Sequence, residues 1–257
     1  MLFMGIGIIT YRRPMMLKGC LARIAALTRQ PYSLVVAEDG GEDSSYSLCQ
    51  QLNITTVTGK NRGVSWNKNR ALYTLISAGA DPVLLLEDDC WPNKSGWEDD
   101  WIKSATLWQH VNYTLSQNWP SDWCRGGRGT AEHPWLGWQL TGQATITLSD
   151  ALSKVGYLNT LFKGYGYAHI EWTERFCKAG ILQRGLLPSL NLGLSIQKSA
   201  TFRNNNDVIR NLTLFRRLQK EPFRYQAPWQ NEREEDELKR EVEKAIQLNP
   251  VKISGAP

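Results

Sequence analysis

The chain has 257 residues, enough for one sizeable domain or a domain with an appendage, and its 42% hydrophobic and 21% charged content excludes a disordered polymer. Its formal charge of +5 favours anionic ligands but is too small to mark a nucleic-acid binder by itself. No run approaches the roughly 18 consecutive apolar residues of a membrane-spanning helix, and five cysteines without a C-x-x-C pair argue for reduced thiols and against a zinc site.

The opening "MLFMGIGIITYRRP" lacks a basic leader region and reads as a strand, so a cytoplasmic location is expected. On that reading the sequons at Asn53, Asn93, Asn112 and Asn211 are chance. Strand-type runs over 2–9, 33–37, 54–57 and 82–86 alternate with helical patterns over 14–28, from Asp43 or Ser44 to about 52, and over 65–78. Apolar strands alternating with helices predict an α/β fold with a mostly parallel central sheet covered on both faces. Such sheets bind ligands beyond the carboxyl ends of their strands. Thr10–Arg13, Glu38–Asp43, Asn61–Gly63 and Glu87–Asp89 all follow strands and should line one rim.

A helix is expected over about 96–113, then an aromatic-tipped loop over 118–138. Trp135 and Trp138 in that loop suit either sugar stacking or plain packing, and His133 suits a loop position. A strand over 143–148, a helix over 149–156 and a Gly-rich turn feeding a helix that ends at Gly180 follow. Short strands are expected near 182–187 and 193–197. The tail from 205 is helical and charge-rich, with a break at "EPFRYQAPWQ". Leu238, Val242, Ala245 and Ile246 give its last helix an apolar stripe that should dock on the domain.

The triplet Glu87-Asp88-Asp89 ends an apolar strand. Adjacent carboxylates repel, so either the strand end is solvated or the acids hold a cation. Hard oxygen donors suit Mg²⁺ or Mn²⁺.

Taken in order, "IITYRRP" (8–14), "LVVAEDGGEDSS" (34–45), "NRGVSWNKNRAL" (61–72), "LLLEDDC" (84–90), "GQATITLSDALSKVGYLN" (142–159) and "GYGYAHIEWTERF" (164–176) resemble the segments of a family-2 glycosyltransferase of the GT-A, Rossmann-like fold. The resemblance implies a GT-A domain over 1–204, with a nucleotide-sugar half (1–95) and an acceptor half (96–204), and a helical C-terminal extension over 205–257. It implies a UDP- or GDP-sugar donor and a Mn²⁺ or Mg²⁺ cofactor. Asp89 would bind the metal directly, Asp88 the ribose or a metal-bound water, and Glu87 would be the first acid of the motif. Thr10, Tyr11 and Arg13 would lie at the donor, and Glu38 or Asp39 would accept a hydrogen bond from the base, with Glu38 favoured. Lys68 stands where the family has an arginine facing the diphosphate, and Arg62 and Arg70 are alternatives.

The base of an inverting transfer would be Glu171 or His169, because Ala168 stands where relatives carry an acid. No histidine follows His169, so any late metal ligand is water or His169 itself. Glu174 is expected to pair with Lys178. Trp135 and Trp138 would line the acceptor site. The acceptor implied is a glycan, with protein or modified DNA in a viral or phage setting as alternatives. The competing readings are a nucleotidyltransferase, weakened by the missing G-x-G-T-R-L loop, and a non-catalytic glycan- or nucleic-acid-binding module.

Overall fold

The computed structural model describes residues 3–114, 124–138, 140–197 and 205–254. Part of the Trp-rich loop, 118–123, therefore lies outside the described residues.

The N-terminal half is a set of strand–helix units. Strands β1 (Met4–Thr10), β2 (Tyr32–Glu38), β3 (Thr55–Thr58) and β4 (Val83–Glu87) run parallel in the spatial order β3-β2-β1-β4. Every residue of β1 is buried, because neighbours flank it on both sides and helices cover both faces. Helix α1 (Pro14–Leu27) starts with proline in its first turn, where a missing N–H is harmless, and lays Leu17, Cys20, Leu21 and Ile24 on one face. Helix α3 (Val64–Ser77) covers the other with Trp66, Ala71, Leu72 and Leu75. Asp43 caps α2 (Ser44–Gln51), accepting from the Ser45 and Tyr46 amides at 2.7 and 3.1 Å.

Beyond β4 the sheet changes character. The expected helix over 96–113 divides into α4 (Trp97–Trp108) and β6 (His110–Tyr113), joined at Gln109 with a left-handed φ of 64°. The segment "HVNY" is wholly buried between β9 (Thr141–Thr147) and β10 (Leu187–Leu190), so sheet pairing overrides the helical pattern. Strand β9 runs antiparallel to both β4 and β6, and β7 (Cys124–Gly126) and β8 (Trp135–Gly137) close this edge. Two short strands, β5 (Cys90–Pro92) and β11 (Leu194–Ile196), pair separately. Helices α5 (Ser149–Val155) and α6 (Ala168–Lys178) complete this half.

The C-terminal extension is built into the domain. Helix α8 (Glu232–Leu248) buries Leu238, Val242 and Ala245 in the same core as α3. The chain then returns as β12 (Ile253–Ser254), antiparallel to the start of β2. Helix α7 (Asn205–Lys220) packs on α6.

Candidate functional site

The polar ends of β1, β2 and β4 meet at one rim. Asp88 is fully buried and accepts from Thr10 Oγ1 at 2.7 Å and Arg13 Nε at 3.1 Å, with Arg13 Nη2 pairing to its other oxygen. Arg13 Nη1 reaches Asp89 Oδ2 at 3.2 Å, so one guanidinium spans both aspartates. Burial pushes the Asp88 carboxyl up to about 7, with Thr10 and Arg13 opposing the shift and Asp89 and Glu87 adding to it. Thr10 thus supports the acid pair, and the solvated strand end is replaced by a cation-bound one.

The two candidate base-binding acids take different jobs. Asp39 accepts from the Arg62 and Gly63 amides at 2.9 and 2.8 Å and from Arg70 Nη1 at 2.8 Å, which anchors the loop that opens α3. Glu38 uses one oxygen for the Gly40 amide (2.8 Å) and Thr58 Oγ1 (3.0 Å). Its other oxygen is buried without a well-formed partner, although the Arg12 amide lies close enough to favour the ionised form. A Cβ on Gly40 would meet that oxygen at 2.9 Å and the Tyr11 ring at 3.1 Å. Glycine therefore keeps a small gap between an acceptor oxygen and an exposed aromatic ring. Burial raises the Glu38 carboxyl to about 6.

Of the three basic candidates, Arg70 is fully buried, held by Asp39 and by Glu241 of α8. Arg62 pairs with Glu234 and Glu237 and lies 3.9 Å over the Trp66 ring. Both serve as ties to the C-terminal helix. Lys68 is buried and bonds the Gly142 carbonyl at 2.6 Å and Glu87 at 3.3 Å. A Cβ on Gly142 would stand 3.2 Å from His169 Nδ1 and 3.4 Å from Lys68 Nζ, so glycine lets the two side chains approach.

His169 sits in the first turn of α6. Its Nε2 lies 3.1 Å from the Leu140 carbonyl, which can only accept, so that nitrogen carries the proton and Nδ1 is left basic. Burial first, then the Lys68 charge, lowers its pKa to about 4. Glu171 does not join this group. It pairs with Arg175 at 2.8 Å on the next turn, and Arg175 also binds the Val155 and Tyr157 carbonyls, the first at 2.9 Å. With Glu174 and Phe215 it lines a groove between α6 and α7. The expected Glu174–Lys178 pair is not formed: Glu174 accepts from Gln219, and Lys178 binds the Leu218 and Glu221 carbonyls. Helix α7 competes for both groups.

Trp135 packs over Gly129, where a Cβ would meet its Nε1 at 2.4 Å, so it belongs to the β7–β8 corner. Trp138 stays exposed, two residues before Leu140. Sequence reasoning missed Asn67, whose amide ties the Thr10 and Ala37 carbonyls at 3.2 and 2.8 Å. No pattern marks it, because its partners are backbone atoms on two other strands.

Among the described residues no group of three or more His, Cys, Asp or Glu side chains gathers around one point. The donors that are present, Asp88 and Asp89, are hard oxygens suited to a small divalent cation that takes the rest of its shell from substrate phosphates and water. They fit such an ion on that condition, with Arg13 as the protein's own cation at the same place. No helix among the described residues is long and apolar enough to cross a membrane.

A sheet that is parallel over β1 to β4, antiparallel beyond, and acidic at the rim of β4 is a GT-A fold. Residues 6–99, just over a third of the chain, match the family model "Glycosyl transferase family 2". Among curated proteins no sequence matches the chain.

Solved structures extend the fold over the remainder. A mannosyltransferase from Pyrobaculum calidifontis, in complex with GDP-Man and Mn²⁺, has 14% identity and a TM-score of 0.51. S. aureus TarS 1–349 with UDP-GlcNAc has 12% identity and a TM-score of 0.58, covering 95% of this chain and 72% of that one. Glucosyl-3-phosphoglycerate synthase from Mycobacterium tuberculosis, with Mn²⁺, UDP and glucosyl-3-phosphoglycerate, has 14% identity and a TM-score of 0.53, covering 83% of this chain and 80% of that one. The match to the mannosyltransferase covers 73% of this chain but 54% of the other, and that to a longer TarS chain covers 43% of it. At such identities the likeness is one of fold.

Proposed function

We propose that the protein transfers a sugar from a nucleoside-diphosphate donor to an acceptor hydroxyl with inversion at the anomeric carbon. The observation that carries the reading is the meeting of Lys68 and His169 across Gly142, with Lys68 also bonded to Glu87 beside the Asp88–Asp89 pair. It puts a basic nitrogen and a cation beside the acidic strand end.

In this reading Glu38 accepts a hydrogen bond from the nucleobase while the base lies along Tyr11. Asp88 and Asp89 would hold Mn²⁺ or Mg²⁺ jointly with the donor diphosphate, and Arg13 yields its place to it. The cation, when bound, neutralises the leaving diphosphate. Lys68 adds a point charge on the same side. His169 Nδ1 takes the acceptor proton as its oxygen attacks. An anionic donor beside Lys68 offsets the charge that depresses His169, so the base strengthens when the donor is in place. Glu171 holds α6 through Arg175. Trp138 offers an exposed indole on which a sugar face can stack, which favours a glycan acceptor over protein or DNA.

The test is a thermal-shift screen of UDP- and GDP-sugars with and without Mn²⁺, followed by release of nucleoside diphosphate. Metal-dependent stabilisation by one donor class with slow donor turnover is expected. Metal-independent ligand binding without turnover of any donor would favour a binding module instead.

A further inference from the structure

We propose that Asn211 of α7 is a positioning residue for the turn that presents His169, which makes the C-terminal extension part of the transfer machinery. The proposal rests on the transferase reading above. The turn is "KGYGY" (163–167), and its backbone is unusual. Gly164, Gly166 and Tyr167 all have left-handed φ values, of 67°, 99° and 66°. For Tyr167 that conformation carries a steric cost, and α6 starts there with no side-chain cap. Such a segment needs outside partners to keep its shape.

Those partners come from one face of α7. Asn211 is fully buried, and its Nδ2 lies 2.9, 3.0 and 3.2 Å from the carbonyls of Lys163, Tyr165 and Gly166. The amide orientation is fixed, since the reverse would aim its oxygen at three other acceptors. The Arg210 guanidinium also bonds the Lys163 carbonyl. Asp207 fills the space beside Gly164, where a Cβ would come 2.0 Å from its Oδ2. The Tyr167 ring stacks on Phe215 with centroids 5.4 Å apart. Residues 207, 211 and 215 repeat at the spacing of one helical face, with Arg210 beside them. Asn211 and Phe215 are the buried residues of this helix, so most of what it buries is directed at the turn.

The turn in its turn touches the donor side. A Cβ on Gly63 would lie 3.5 Å from the Gly164 amide nitrogen, and the Gly63 amide itself is held by Asp39. His169 follows two residues after Tyr167. A loosened turn therefore displaces the base relative to the donor while the β1–β4 sheet stays intact.

The experiment compares Asn211→Ala and Asn211→Asp with Ile102→Ala, a partly buried position on α4 that packs against the core and is remote in sequence from the turn and from α7. Amide hydrogen exchange, stabilisation by UDP, and kcat and KM are measured on the full chain. Expected is faster exchange at 164–170 by about tenfold or more, with exchange in β1 and β4 unchanged. Donor KM should stay within about twofold while kcat falls at least about tenfold, as for a misplaced catalytic group. Unchanged exchange at the turn overturns the proposal, and so does a loosened turn with full kcat. A kcat loss equally large in Ile102→Ala at the same drop in Tm also overturns it, because the effect would then be general destabilisation. If the wild-type chain turns over no donor, the transferase reading and the positioning role fall together, while exchange at 164–170 still reports whether Asn211 holds the turn.

Discussion

The proposed donor half and the proposed acceptor half solve the same problem, holding polar groups at a strand rim, by different means. In the N-terminal half the candidate acids are fixed by charged, hydroxyl and amide partners that all lie within the matched segment 6–99: Asp88 by Thr10 and Arg13, Asp39 by Arg70 and the loop that opens α3. Beyond β4, His169 instead rests on backbone and on a further helix outside that segment, with Leu140 and Gly142 beside it and α7 behind its turn. The donor half should therefore lose function when a charge is removed, and the acceptor half when a support is removed.

The largest expected effect is Asp89→Asn. It should reduce transfer by about a hundredfold or more and abolish Mn²⁺-enhanced donor binding, because the fully buried Asp88 would then be the metal's one protein carboxylate at this rim. Unchanged activity would break the donor-side assignment. The next is a pair of substitutions two residues apart on α6, expected to differ in kind. His169→Ala should lower kcat by more than about tenfold with little change in Tm. Glu171→Gln should do the reverse, costing about 3 kcal/mol of stability by leaving Arg175 buried without its counter-charge. If Glu171→Gln instead lowers kcat in a stable protein, the acceptor-side base is Glu171.

Much of this contrast was legible beforehand in the donor half. Apolar strands, Pro14 at a helix start and acids after β4 follow from local pattern, and the structure brings those strand ends together. The acceptor half was less legible for physical reasons. The segment His110–Tyr113 reads as helix because its burial between β9 and β10 depends on residues 28 or more positions away. Glu171 reads as a cleft acid because nothing local shows that Arg175 will be buried beside it. Arg70 reads as an alternative to Lys68 at the diphosphate, since its partner Glu241 lies 171 residues on. Asn211 reads as part of a chance sequon, and only the fold reveals three carbonyls around its amide.

A smaller effect concerns pH. Glu38 has its carboxyl raised to about 6 by burial, against 4.5 when free. The folded state thus holds the proton more tightly than the unfolded state between those values. Wild-type stability relative to Glu38→Gln should fall as pH rises from 4.5 to 6, by about 2 kcal/mol in all. UDP affinity should move the opposite way, rising over the same window as the carboxylate ionises to accept the base N–H. Tm and UDP titrations at pH 5 and 7 check both signs. Parallel trends, or a UDP affinity indifferent to pH, would remove Glu38 from the base pocket.

The smallest expected change is at Arg13, and it asks whether the donor half is poised for a cation before the donor arrives. The guanidinium pairs with both Asp88 and Asp89, the two carboxylates proposed above to hold the divalent ion. Arg13→Gln leaves the two carboxylates facing each other, and their repulsion should then favour any cation that enters. Mn²⁺ should bind the nucleotide-free variant more tightly than wild type, by roughly threefold to tenfold, read by calorimetry without any turnover. Donor binding in the presence of metal should change less, because the ion and the diphosphate then replace Arg13 together. Weaker Mn²⁺ binding in Arg13→Gln would mean that the arginine organises the aspartates for the metal and does not compete with it.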